Sequence, residues 1–95
     1  MTYEEFVALD PEQAGGLKAA LAALALDRAG NWDAAHERVA EVETLEENRV
    51  HAYLHREEGD VSNARYWYER VGEPMPDQSF EEEWRGLVRR YLHPG

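Results

Sequence analysis

The sequence predicts an all-α fold of five or six short antiparallel helices, which form a single helical domain over residues 1–95. Three observations support this prediction. Apolar residues recur at helical spacing in the long segments, no segment alternates polar and apolar residues with a period of two, and glycine or proline separates one segment from the next. Because the connecting segments are short, consecutive helices are expected to lie antiparallel.

Capping patterns predict where four of the helices begin. In each pattern a threonine, aspartate or serine stands three residues before a glutamate or glutamine, so that each side chain can bind the backbone N–H of the other residue. The pairs are Thr2–Glu5, Asp10–Gln13, Thr44–Glu47 and Ser79–Glu82. The helix that follows Asp10 either tolerates Gly15 and Gly16 near its start or begins after them.

Glycine and proline predict where helices end. Gly30 and Gly59 each stop a helix. Asn31 can cap the helix after Gly30, and either Asp60 or Ser62 can cap the helix after Gly59. Residues 72–78 contain two prolines and are predicted to form a loop. The side chains predicted to form the apolar faces of the helices share helical spacing; they are Tyr3, Phe6, Val7, Leu17, Leu21, Leu24, Ala25, Trp32, Ala35, Val39, Val42, Leu45, Val50, Tyr53, Leu54, Val61, Ala64, either Trp67 or Tyr68, Val71, Phe80, Trp84, Leu87, Val88 and Tyr91.

Charge and composition restrict the classes of partner. The chain carries a net charge of -10, which repels phosphate backbones, so we expect no nucleic-acid binding. A basic protein or a cation is compatible with such a surface. No apolar run reaches membrane-spanning length, so no membrane insertion is expected. The acidic N-terminus lacks a signal-peptide pattern and the chain has no cysteine, and both observations predict a cytoplasmic protein.

An internal repeat relates two predicted helical hairpins. Residues 21–42 align without gaps on residues 50–71, with glycine at the turn and small residues where helices would cross. The second copy resembles a tetratricopeptide-type repeat, because it matches the small residue, glycine, alanine, large aromatic residue and terminal proline of that family. The matching residues are Ala52, Gly59, Ala64, Tyr68 and Pro76. The resemblance implies tetratricopeptide-like hairpins and, through them, protein binding.

A second resemblance covers residues 32–39 and 50–72. The runs H-A-Y-L-H-R, E-G-D, N-A and Y-W-Y are similar to a family of small uncharacterised bacterial all-helical proteins. This resemblance implies one compact bacterial domain and no particular activity. Relative to a tetratricopeptide-type repeat, Asn48, His51 and His55 are departures, since that family has tryptophan, leucine and tyrosine at these positions.

Three histidines are predicted to lie together. His51 and His55 are four residues apart and share one face of a helix, and an antiparallel neighbour would bring His36 level with His51. Polar and aromatic residues on the adjacent turns are expected to join them; these are Asp33, Asn63 and Trp67. The sequence therefore predicts a crevice between three helices that is lined by imidazole rings.

Two interpretations of this crevice are open. As core residues, the histidines would each bond a carbonyl, a carboxylate or an indole N–H, because buried polar groups are paired. As a site, they could ligate Zn²⁺, or one of them could act as a general base. The metalloprotease pattern is excluded, because it needs a glutamate directly after the first histidine and Ala52 follows His51.

Two functions follow as alternatives. The first is a non-catalytic, helical-repeat-like protein that needs no cofactor and binds another protein or associates with itself. Its predicted binding residues are Tyr53, Arg56, Arg65, Tyr66 and Arg70. The second is a small metal- or ligand-binding protein, or an enzyme, that uses His36, His51 and His55, with Zn²⁺ as the metal.

Overall fold

The computed structural model describes residues 1–93, and within them the chain forms seven α-helices and no β-strand. The all-α prediction is therefore confirmed. The helices are α1 (Tyr3–Ala8), α2 (Pro11–Ala14), α3 (Ala19–Arg28), α4 (Trp32–Ala40), α5 (Leu45–Glu58), α6 (Val61–Val71) and α7 (Phe80–Leu92). None of these seven helices combines the length and the hydropathy needed to cross a lipid bilayer.

The predicted number of helices is wrong, because residues 11–28 divide into α2 and α3. Helix α2 ends at Ala14 and is followed by Gly15 and Gly16. Each glycine would cost roughly 1 kcal/mol relative to alanine inside a helix. Lys18 then has extended backbone, with φ -59° and ψ 153°, and α3 begins after it. The two glycines therefore end a helix that the apolar spacing alone would allow to continue.

Three of the four predicted capping boxes are confirmed. Both hydrogen bonds of the box form at Thr2–Glu5, at Asp10–Gln13 and at Ser79–Glu82. The fourth prediction is wrong, because the Thr44 side chain makes no bond to the helix backbone and its hydroxyl instead donates to the Glu47 carboxylate. Glu47 is buried, and an unpaired buried carboxylate costs more than an unmade cap.

Glycines with left-handed backbone turn the chain between the longer helices. Gly30, Gly59 and Gly72 have φ values of 88°, 91° and 76°, a region that favours glycine because it has no Cβ. At the second of these turns, Asp60 caps α6 by accepting a hydrogen bond from the backbone N–H of Asn63. This turn directs α6 back along α5 and so decides which α6 side chains contact that helix.

The main apolar core lies between α3, α5 and α7. Its largest side chain, Trp84, is 2% exposed, and its indole N–H donates to the Leu24 carbonyl over 2.9 Å. Four residues predicted on apolar faces are wrong, since Val7, Leu45, Val61 and Phe80 are 48%, 69%, 45% and 46% exposed. The last three are each the first residue of a helix. Because helical side chains lean toward the N-terminus, a side chain at this position extends beyond the packed part of the helix.

Helix α5 is the central element of the fold and is buried over its whole circumference between residues 47 and 55. A helix buried in this way is normally apolar on all sides. Five of these side chains are nevertheless polar or charged; they are Glu47, Asn48, Arg49, His51 and His55. Because a buried polar group without a partner is costly, the helices around α5 have to supply partners.

Helix α7 supplies a carboxylate to the arginines of α5. Glu83 is 1% exposed and forms ion pairs with Arg49 at 2.7 Å and with Arg56 at 2.8 Å. It also accepts a hydrogen bond from the Tyr68 hydroxyl over 2.5 Å. Burial and the neighbouring carboxylate raise the pKa of Tyr68, so this hydroxyl keeps its proton and acts as a donor. One buried carboxylate thus joins α5, α6 and α7.

We expect Glu83→Gln to lower the free energy of unfolding by about 3 kcal/mol or more, because the buried guanidinium of Arg49 and the half-buried one of Arg56 lose the carboxylate that they share. Glu81→Gln is the matched control, since it makes the same charge change on the same helix. Glu81 is 45% exposed and pairs with Arg28 and Arg85 at the surface, so its loss should cost at most about 1 kcal/mol. Urea denaturation measures both variants, and equal effects would contradict this account of the buried network.

Candidate functional site

The three histidines that were predicted to lie together do so in the structure. His36 comes from α4, and His51 and His55 come from consecutive turns of α5. The Nε2 atoms of His36 and His51 are 3.0 Å apart, and one ring nitrogen of each histidine lies within 4.8 Å of the other two. His51 and His55 are buried, whereas His36 is half-buried and marks the side that faces solvent. We call these three residues the histidine cluster.

Two tryptophans enclose the histidine cluster. Trp67 of α6 stacks on His51 with ring centroids 4.1 Å apart, and Trp32 of α4 stacks on His36 with ring centroids 5.0 Å apart. The Trp32 indole N–H donates to the Leu54 carbonyl over 2.9 Å, so the backbone of α5 orients this ring. The indole faces limit rotation of the two imidazoles and exclude water from one side of each.

Polar side chains reach His55 but leave one nitrogen of His51 without a partner. Nδ1 of His55 is 2.7 Å from Oε1 of Glu58, and its Nε2 is 3.3 Å from Nδ2 of Asn63. Nδ1 of His51 is buried and has no hydrogen-bond partner among the described residues. Within the described residues, His51 is therefore paired through its Nε2 atom, which lies 3.0 Å from Nε2 of His36.

Burial keeps protons away from two members of the cluster. Burial and then the charges of His55 and His36 lower the pKa of His51 to about 4. Burial and the charge of His55 also lower the pKa of His36, an effect that the carboxylates of Glu58 and Asp33 oppose. His36 and His51 are therefore neutral at pH 7. Neutral imidazole is the form that ligates a metal ion.

Acidic side chains lie around the cluster without entering it. Asp33, which was predicted as a further member, is exposed and is not among the described side chains whose ligand atoms converge with the histidines. Glu58 and Asp60 form a second group with His55, in which the ligand atoms lie within 4.8 Å of one another. A cation that approaches the cluster from solvent would therefore meet negative potential.

The spacing of the three nitrogens is close to that of a zinc site. A tetrahedral Zn²⁺ ion with Zn–N bonds of about 2.0–2.1 Å holds its ligand nitrogens roughly 3.3 Å apart. The Nε2 atoms of His36 and His51 are 3.0 Å apart, which is slightly less than that value. The ring nitrogens of the whole cluster are at most 4.8 Å apart, which is more than that value. Side-chain shifts on the order of 1 Å would complete the geometry.

The residues predicted to bind a partner do not form one surface. Tyr53 is 2% exposed, because residues 47–55 of α5 are buried on all sides, so this prediction is wrong. The Arg56 side chain is 15% exposed and forms an ion pair with the buried Glu83 of α7, which leaves little of it for a partner. Arg65, Tyr66 and Arg70 do lie at the surface of α6. Tyr66 is 53% exposed, and its hydroxyl accepts a hydrogen bond from Arg70 over 3.1 Å.

Two members of the site are missed by reasoning from the sequence. Trp32 was expected to be an ordinary core residue, and Glu58 was given no role in the crevice. Trp32 lies four residues before His36, and Glu58 lies three residues after His55. Residues at these separations share one helical face, so the spacing would have identified both of them.

No protein-family model matches the chain, and no curated protein or solved structure is significantly similar to it. The fold and the site together define the class of molecule. It is a small all-α protein in which α4 and α5 carry a cluster of three histidines and α6 covers it with a tryptophan. The predicted likeness to tetratricopeptide-type repeats stays a prediction.

Acidification should destabilise the metal-free protein through His51. The pKa of His51 is about 4 in the folded chain and about 6.5 in an unfolded one, so between these values the unfolded state binds more protons. The free energy of unfolding should be fully retained above pH 6.5 and should fall by about 2 kcal/mol on acidification to about pH 4.5. Denaturant titrations with a chelator present, repeated across this range, measure the change.

The variant His51→Leu provides the control, because it replaces the titrating ring with an apolar side chain. At pH 7 we expect its free energy of unfolding to stay within about 1 kcal/mol of the wild-type value, since half-buried His36 can bond to water instead. Its loss on acidification should be smaller than that of the wild type by about 2 kcal/mol. Parallel pH profiles for the two proteins would refute the assignment of this effect to His51.

Proposed function

We propose that this protein binds a divalent transition-metal ion, Zn²⁺ in particular, through His36, His51 and His55. The observation that supports the proposal is the convergence of one nitrogen from each ring to within 4.8 Å of the others. Imidazole nitrogen is a preferred zinc ligand, and a pair of histidines at i and i+4 on one helix is a common way to present two of them.

The electrostatics of the site favour a metal ion over protons. The pKa values of His36 and His51 are lowered, so neither ring needs to lose a proton before it binds an ion at pH 7. The net charge of -10 and the exposed carboxylates beside the cluster attract cations. The chain has no cysteine, so imidazole and carboxylate are the ligand types available to zinc.

The number of ligands bears on what the ion would do. Three histidines leave the fourth position of a tetrahedral ion for water or a substrate, which is the ligand number of catalytic rather than structural zinc sites. His36 is the half-buried member, so this open position would face solvent on its side. If the protein is an enzyme, a metal-bound water is the nucleophile that this arrangement would supply.

We expect the chelator-treated wild-type protein to bind one equivalent of Zn²⁺ in isothermal titration calorimetry. Because the ion binds the folded state, zinc at a hundred times its dissociation constant should stabilise the fold by about 2.7 kcal/mol, and a chelator should reverse the rise in melting temperature. His36→Ala and His55→Ala should each bind zinc much more weakly, since each leaves two histidine ligands.

His93→Ala is the matched control for these variants. His93 is the remaining histidine of the four in the chain, and it is exposed and lies outside the cluster. This variant should therefore bind zinc as the wild type does. Absence of a thermal shift in the wild type, or equal loss of zinc from all three variants, would rule out the proposed site.

Protein binding in the form of self-association is a second candidate function. The observation that favours it is the exposed aromatic-basic patch of Arg65, Tyr66 and Arg70 on an otherwise acidic chain. Such a patch can dock on the acidic surface of a second copy. This candidate carries with it the expectation of tetratricopeptide-like hairpins, here α3–α4 and α5–α6, in a bacterial cytoplasmic protein.

Sedimentation velocity tests the second candidate. The wild type should form dimers as its concentration rises, and Tyr66→Ala should shift the equilibrium toward the monomer because it removes the aromatic contact. Phe80→Ala is the control, since Phe80 is a 46% exposed aromatic residue on a different helix and outside the patch. A wild type that stays monomeric at all concentrations would exclude self-association.

A further inference from the structure

His55 has two ring nitrogens with different neighbours. Nδ1 lies 2.7 Å from the Glu58 carboxylate, and Nε2 lies 3.3 Å from the amide nitrogen of Asn63. A carboxylate can only accept a hydrogen bond, and an amide NH₂ group can only donate one. The first contact therefore requires a proton on Nδ1, and the second requires a lone pair on Nε2. A single neutral tautomer of His55 satisfies both.

We infer that Glu58 is a positioning residue of the histidine cluster, which holds the proton of His55 on Nδ1 and so leaves the Nε2 lone pair for the metal ion. The inference rests on the proposed zinc site and identifies the residue that orients one of its ligands. Histidines that ligate metals usually donate their other N–H to a carboxylate or a carbonyl, which fixes the ring and raises the basicity of the ligating nitrogen. On binding, the ion would replace the Asn63 N–H as the partner of Nε2.

The position of Glu58 suits this role. It lies three residues after His55 in the last turn of α5, so the two side chains share a helical face. Gly59 ends the helix directly after it, with φ 91°. The Glu58 side chain is 34% exposed while that of His55 is 7% exposed, so Glu58 keeps contact with water and still reaches the ring. Its removal should therefore leave the fold intact.

A separate cation site at His55, Glu58 and Asp60 would use the same carboxylate differently. The ligand atoms of these three residues lie within 4.8 Å of one another. Asp60, however, already caps α6, and its carboxylate accepts from the Asn63 backbone N–H. The short contact between Glu58 and Nδ1 of His55 also occupies the nitrogen that such a site would need. The observations therefore favour the positioning role.

The tautomer of His55 can be measured without any metal. In chelator-treated, ¹⁵N-labelled wild-type protein we expect the Nδ1 signal of His55 at the chemical shift of a protonated nitrogen and the Nε2 signal at that of an unprotonated one. Glu58→Ala should move the two signals toward each other, because the tautomers then mix. Glu58→Gln should rescue the wild-type pattern, since its amide oxygen still accepts from Nδ1–H. A wild-type His55 that carries its proton on Nε2 would overturn the inference.

The effect on the metal is measured by competing a chromophoric chelator for Zn²⁺. Glu58→Ala should weaken zinc binding by about 10- to 100-fold, and Glu58→Gln should lose less. Glu69→Ala removes the same charge from an exposed position on α6 and should leave the affinity unchanged. Asp60→Asn keeps a good helix cap and should bind one equivalent of zinc with wild-type affinity.

The outcomes separate the inference from the function on which it rests. Unchanged affinity in Glu58→Ala, or an equal loss in Glu69→Ala, would overturn the positioning role. A second equivalent of zinc that disappears in both Glu58→Ala and Asp60→Asn would overturn it in favour of the separate site. If the wild type binds no zinc, the proposed function fails, and the tautomer measurement still decides whether Glu58 orients His55.

Discussion

The structure depends on the burial of helix α5 together with the polar side chains that it carries. Residues 47–55 are enclosed on all sides, and five of their side chains are polar or charged. An unpaired charge in such surroundings would cost several kcal/mol, so each neighbouring helix has to bring a partner of the right chemical type. Helix α7 brings Glu83, and α4 brings His36. The arrangement of helices around α5 is therefore specified by polar pairing as well as by apolar contact.

The buried polar side chains of α5 include the Arg49 that binds Glu83 and two members of the histidine cluster, and these two sets are satisfied in different ways. At Glu83, opposite charges neutralise each other, and the tyrosine hydroxyl completes the hydrogen bonds of the carboxylate. In the histidine cluster the compensation is partial, because the Glu58 carboxylate pairs with His55 and lies outside the group of three converging rings. The chain has 20 acidic residues, yet among the described residues no carboxylate oxygen lies within 4.8 Å of all three converging histidine nitrogens. A structural network of histidines would gain from a buried carboxylate. Three imidazoles whose ring nitrogens converge to within 4.8 Å of one another are better suited to share a cation, and this contrast is the main physical argument for a metal site.

The parts of the site that the sequence predicts are those set by local geometry. Helical spacing brings His51 and His55 together, and the turns on either side of α5 bring in His36, Asn63 and Trp67.

The interactions that the sequence does not predict act over a long range or compete with a local preference. The carboxylate of Glu83 meets Arg49 only through tertiary packing, and no periodic pattern links the two. At Thr44 a buried carboxylate competes with the helix cap for one hydroxyl, and burial of that carboxylate could not be known from the pattern. Exposure of the first residue of a helix, as at Leu45, depends in the same way on where packing stops.

The central claim is that three imidazoles of one chain can surround a single ion. X-ray absorption spectroscopy at the zinc edge, on protein loaded with one equivalent of Zn²⁺, tests it most directly, because the fine structure reports the type, number and distance of the ligand atoms. The account predicts three imidazole nitrogens at about 2.0–2.1 Å and one further light atom. Zinc surrounded by oxygen atoms, with one imidazole or none, would contradict it.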